Sequence, residues 1–80
     1  MLAKTMTREY TIVLTPEPEG GFTITVPALP GYVAYAETED EALKLAEEGI
    51  KFHIKALAAE GQPVPEELQA PRVIRLKIAA

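Results

Sequence analysis

The chain has 80 residues, enough for one domain but only a small core, since a domain of this size buries about 60% of the surface its unfolded chain exposes. It contains no cysteine and no serine, which excludes disulfides, thiolate metal sites and either side chain as a nucleophile. Twelve acidic residues against eight Lys and Arg give a net charge of −4, a poor match for nucleic-acid phosphates and a better one for a basic protein.

Residues 1–7 lack the apolar core of a signal peptide and read as a short flexible lead to a single domain over 8–80. No apolar run approaches the ~18 residues of a membrane span. Residues 9–15 alternate, with Tyr10, Ile12 and Leu14 on one face and Thr11, Val13 and Thr15 on the other, which predicts a strand. Pro16 to Gly21 supply turn chemistry. Residues 22–26 alternate again, so the two runs read as a hairpin. Pro27-Ala28-Leu29-Pro30-Gly31 makes a stiff connection, and residues 32–37 give a third strand.

Thr38 is a good N-cap, and Glu41 three residues later completes a capping box. Glu39, Asp40 and Glu41 put negative charge at the positive end of the helix dipole. The helix runs to about Glu60, with Gly61 as its stop. Its apolar positions are Ala42, Leu43, Ala46, Ile50, Ile54, Leu57 and Ala58, spaced by three and four. Asp40–Lys44 and Glu47–Lys51 form i,i+4 pairs on the wet side. Gly49, on or near the apolar stripe, points to close approach of the helix to the sheet. A proline-rich acidic connection follows, then residues 72–78, with Ile74, Leu76 and Ile78 facing one way and Val73, Arg75 and Lys77 the other. The expected class is α+β, ordered β-β-β-α-β, with four strands and one long helix covering one face of the sheet.

The segment from Tyr10 to Glu67 resembles the HicB family of antitoxins. The resemblance rests on Gly20-Gly21-Phe22, on Val26-Pro27-Ala28-Leu29-Pro30-Gly31, on the acidic helix start Thr38 to Leu43, and on Gly61-Gln62-Pro63-Val64-Pro65. It implies a degenerate ribonuclease-H-like fold with a mixed sheet ordered 3-2-1-4, the last strand parallel to the first. It implies an antitoxin-type protein-binding module that neutralises a HicA-like mRNA-cleaving toxin by direct binding in the cytoplasm. Many relatives carry Cys after the Pro-Gly of the loop, where this chain has Tyr32. Full-length relatives carry a C-terminal DNA-binding segment. This sequence stops at its last strand, so no direct DNA binding is expected of it. An orphan self-associating HicB-like domain without an active toxin partner is the alternative, followed by a residual ribonuclease-H-like hydrolase.

Catalytic chemistry is not expected. A ribonuclease-H-type nuclease needs carboxylates converging on metal ions, and no strand centre here carries an Asp. The only histidine, His53, lacks a second histidine or a cysteine for metal ligation and reads as a residue at the core's edge. Gly20-Gly21 lacks the helix and lysine of a phosphate loop and reads as a hairpin turn. No cofactor and no metal are expected. Tyr32 and Tyr35 fall on opposite faces of the third strand, so one packs inward and the other is exposed, as a strand aromatic or as an interface anchor. Together with Glu37, Glu39 and Asp40, these tyrosines are the candidate partner interface. Arg72, Arg75 and Lys77 read as edge charges or as a nucleic-acid contact. The open, Thr-rich face of the sheet and the final strand offer surfaces for a second copy, giving a homodimer or a higher homo-oligomer.

Overall fold

A computed structural model of the chain describes residues 8–80. The expected lead over 1–7 lies outside those residues. Three short strands form an antiparallel sheet ordered β1-β2-β3: β1 Val13–Pro16, β2 Phe22–Thr25 and β3 Val33–Ala36. One helix, α1 Glu39–Ala59, packs on one face of this sheet. The class is α+β, as the alternation and the helical stripe require.

Register follows the expected pattern of faces. Val13, Thr25 and Val33 lie side by side across the sheet, and so do Thr15, Thr23 and Tyr35. These rows form the open face. Leu14, Ile24 and Ala34 form the row beneath, toward the helix. Strand β1 begins four residues later than the alternation implies. In the observed register the residue opposite Thr11 would be Pro27, which has no N–H to give to a ladder. Residues 9–12 continue the extended run without a strand partner.

The core is small and has two parts. Ile24 and Ala36 pack on Ala42 and Ala46, while Val26 and Leu29 pack on Ile50. Small alanines on the helix allow it to lie close to the sheet. Gly49 continues that logic, since a Cβ there would fall 2.4 Å from the Tyr32 hydroxyl oxygen. The loop between β2 and β3 is itself part of the core. It makes two consecutive turns, closed by Leu29 N–H to Val26 O (2.9 Å) and Tyr32 N–H to Leu29 O (3.1 Å). Pro30 sets the second turn and Gly31 takes the positive φ of +92° that it needs. The result pushes Leu29 inward until it is 1% exposed.

Helix ends match the local signals. The Thr38 hydroxyl accepts from Glu41 N–H (3.2 Å), and the Glu41 carboxylate accepts from the N–H of Glu37, one residue before the cap (3.3 Å). At the other end Gly61 has φ +72°, and Gln62 N–H reaches Leu57 O at 2.9 Å, the Schellman arrangement. Glu47 pairs with Lys51 as expected, at 3.0 Å. Asp40 and Lys44 form no ion pair; an exposed i,i+4 pair gains only about 0.3–0.5 kcal/mol, too little to hold both side chains.

The expected fourth strand is not found among the described residues. Residues 72–78 join no ladder, so among the described residues the sheet has three strands and none runs parallel to β1. All seven are exposed, with Val73, Ile74, Leu76 and Ile78 between 66% and 86% accessible. The reason lies just before them. Tyr10 donates its hydroxyl to Pro65 O, and Thr11 donates both its N–H (2.7 Å) and its hydroxyl to the Glu67 carboxylate. Residues 66–69 and Pro71 then share a crevice with Pro27 and Ala28. The chain is thus held where β2 has left β1, and from there it runs out as an arm. The molecule measures 60 Å along its longest axis against 26 and 24 Å across.

Candidate functional site: an acidic end and an apolar groove

Charge is distributed unevenly along the chain. From Glu9 to Leu43 there are seven acidic residues and no Lys or Arg. The fold gathers six of the seven at one end of the sheet. Glu17 and Glu19 sit in the turn after β1, Glu37 follows β3, and Glu39, Asp40 and Glu41 open α1. The pairing of Pro16 with Phe22 and of Phe22 with Ala36 brings these three segments together.

Tyr35 stands at the edge of this acidic end. It is half-exposed on the open face, and its hydroxyl donates to Gly20 O at 2.9 Å, tying β3 to the hairpin turn. A depression of about 350 Å³ is lined by Glu17, Glu19, Gly20, Thr23 and Tyr35. The Thr23 hydroxyl donates to the Glu17 carboxylate within it. Glu37, Glu39 and Asp40 are exposed nearby, free to meet cations. On the open face this leaves an aromatic ring beside the carboxylates of Glu17 and Glu19, at the same end of the sheet as the negative helix start.

Tyr32 is not part of that surface. It lies at the opposite end of β3, half-buried between the sheet and Gly49, and packs against both parts of the core. Glu17 and Glu19 are the members that sequence reasoning missed. Their signal was present in the turn, but only the strand pairing shows that this turn adjoins the helix start.

A second feature lies on the other side of the molecule. An apolar groove of about 590 Å³ runs between the start of the β1 segment and the helix, lined by Tyr10, Ile12, Leu43, Ile50 and Ile54, with Arg8, Glu47 and Lys51 at its rim. The segment leading into β1 bounds it, and among the described residues no strand lies beside β1 on its outer edge.

Among the described residues no group of three or more His, Asp or Glu side chains is placed to hold a metal ion. His53 is half-buried on α1. None of the described helices is long and apolar enough to cross a membrane.

Fold and surface define a small α+β domain with one acidic end, one uncovered sheet face and an apolar groove. A family model described as the HicB-like antitoxin of bacterial toxin–antitoxin systems matches residues 10–75, and the chain belongs to that family. It is 40% identical over 58 residues to UPF0150 protein ssr1765 of Synechocystis sp., covering 72% of this chain and 73% of that one. It is 32% identical over 59 residues to UPF0150 protein Ta0767 of Thermoplasma acidophilum, covering 74% and 86%. Family membership implies an antitoxin role and a toxin as partner.

Proposed function

We propose that this chain is a non-enzymatic, cytoplasmic antitoxin that neutralises a HicA-like mRNA-cleaving toxin by binding it directly. The observation that supports this reading is the acidic end of the sheet, where Tyr35 shares a depression with Glu17 and Glu19 and where Glu37, Glu39 and Asp40 follow β3 into the start of α1. A protein that cleaves RNA presents cations to phosphates. An acidic surface of fixed shape competes for those same cations, and Tyr35 offers a rigid apolar anchor among them. Electrostatic attraction of this kind speeds encounter more than it deepens affinity, which suits a protein that must reach its toxin before messenger RNA does. Tyr32 takes a supporting part, holding β3 against the helix.

The test is co-expression with a HicA-like toxin. Neutralisation and a co-purifying complex are expected. Loss of neither toxicity nor free toxin in the presence of this chain would refute the reading.

A second reading is supported by the exposed residues 72–78: a self-associating HicB-like domain acting without a toxin. Its discriminating result is a stable homo-oligomer that leaves the toxin unbound. The degenerate ribonuclease-H-like architecture belongs to either reading, because it needs a fourth strand beside β1 from some source.

A further inference from the structure

We infer that residues 72–78 form an exchanged strand, which adds to the outer edge of β1 in a second copy of this chain and closes that copy's apolar groove. This deepens the self-association proposed above and does not depend on the toxin.

Three observations meet here. The arm alternates strictly, with Ile74, Leu76 and Ile78 on one side and Val73, Arg75 and Lys77 on the other, and every one of these residues is exposed. This is the pattern of a strand that buries one face only. Among the described residues no strand lies on the outer edge of β1, so the backbone groups of Ile12 and Leu14 and the carbonyl of Pro16 are open to a pairing strand. Beside that edge lies the groove of Tyr10, Ile12, Leu43, Ile50 and Ile54, on the helix side of the sheet. A strand placed on the edge with its apolar side toward the helix sets Ile74, Leu76 and Ile78 over this groove. Val73, Arg75 and Lys77 then continue the open face carrying Thr11, Val13 and Thr15. Donor and acceptor surfaces match in polarity and side, the arm covering β1 and the segment before it.

The route of the chain directs the arm to another molecule. Glu67 and Pro65 are bonded to Thr11 and Tyr10, and residues 66–69 and Pro71 line a crevice with Pro27 and Ala28, on the β2 side of the β1 segment. Reaching the outer edge of the same β1 would take the arm across the segment to which it is tied. Pro71 holds Ala70 in an extended conformation and carries the chain outward. Nine residues beyond it reach roughly 30 Å, more than the width of the sheet. Because each copy has both an arm and an edge, the exchange is reciprocal and closes as a two-fold dimer.

The full chain is examined by light scattering over a range of concentrations, alongside the variants Leu76→Asp and Ile78→Asp. Both positions are exposed here, so circular dichroism of the variants should be unchanged. The expected result is a dimer whose dissociation constant rises at least about tenfold in each variant, as loss of one buried aliphatic side chain requires. A chain that is monomeric throughout overturns both self-association and the exchange. A dimer indifferent to both substitutions overturns the exchange alone and moves self-association to another face. The absence of native cysteine permits a second test. Chains carrying Val13→Cys are mixed with chains carrying Val73→Cys, Arg75→Cys or Lys77→Cys and oxidised. A covalent pair of unlike chains is expected. If the doubly substituted chain instead closes on itself as a monomer, the arm pairs with its own β1 and the exchange is wrong.

Discussion

Gly49 on α1 faces the ring of Tyr32 so closely that an added Cβ would lie 2.4 Å from the hydroxyl oxygen and 2.7 and 2.9 Å from two ring carbons. This approach sets the distance between helix and sheet. It also explains a glycine in the eleventh position of a 21-residue helix, where it costs about 1 kcal/mol against Ala.

Gly49→Ala should therefore destabilise the protein despite its better helix propensity. Overpacking typically costs about 1–3 kcal/mol, which exceeds the propensity gain at most of that range. In a Tyr32→Leu background the same substitution should become neutral or stabilising. Urea denaturation of the four proteins measures the coupling, and simple additivity would mean that the two residues do not meet.

Leu29→Ala should be among the most damaging single changes, although Leu29 sits in a loop. The side chain is 1% exposed and packs with Val26 and Ile50. Truncating a buried leucine costs about 2–5 kcal/mol. For a domain this small, that is a large share of total stability. Thermal unfolding should show a fall of at least about ten degrees, by the ~4–8 °C per kcal/mol expected at this size. A melting point within two or three degrees of the parent would contradict the packing described.

Gly20 and Gly21 both have positive φ, yet they should respond differently to alanine. At Gly20 a Cβ meets nothing within 4 Å, so the cost is backbone strain alone, about 1–2 kcal/mol. At Gly21 the Cβ would lie 2.1 Å from the Tyr35 hydroxyl oxygen and 2.9 Å from Ala36 O. Gly21→Ala should cost clearly more and should break the bond from Tyr35 to Gly20. Equal stabilities of the two variants would remove the hairpin contact from the account.

Charge reversal at the acidic end should weaken toxin binding without unfolding the domain. Glu37→Lys and Asp40→Lys change exposed residues outside the core. The expected signature is a slower association rate and a flatter dependence on salt, with little change in dissociation. Surface plasmon resonance at two ionic strengths separates these. An unchanged association rate in the double variant would place the toxin elsewhere, and the open sheet face would be the next candidate.

The local elements were legible in the sequence because their causes are local. Thr38 and Glu41 cap α1 from within four residues, and Gly61 ends it through a bond from Gln62 to Leu57. Alternation gave three strands and their faces, and Gly49 announced the close approach. Other features depend on residues far apart. Tyr32 and Tyr35 had equal claims to the core until the register put Ala34 opposite Ile24, and with it Tyr32 on the helix side. The late start of β1 was hidden because it depends on Pro27, which faces that segment only once β2 has paired.

The sequence by itself determined the class, the family resemblance, the helix limits and the alternation of every strand-like run, since each follows from side-chain spacing and capping within a few residues. Tertiary structure decided which of those runs became strands. A ladder needs a second backbone at hydrogen-bonding distance, and no periodicity can report whether one is there. Residues 72–78 have the pattern of a strand, but Glu67 and Pro65 hold the chain against Thr11 and Tyr10 on the β2 side of β1, leaving the arm without a strand partner among the described residues. The acidic end was decided in the same way, because Glu17, Glu19, Glu37 and Asp40 come to one end of the sheet only when β1, β2 and β3 pair.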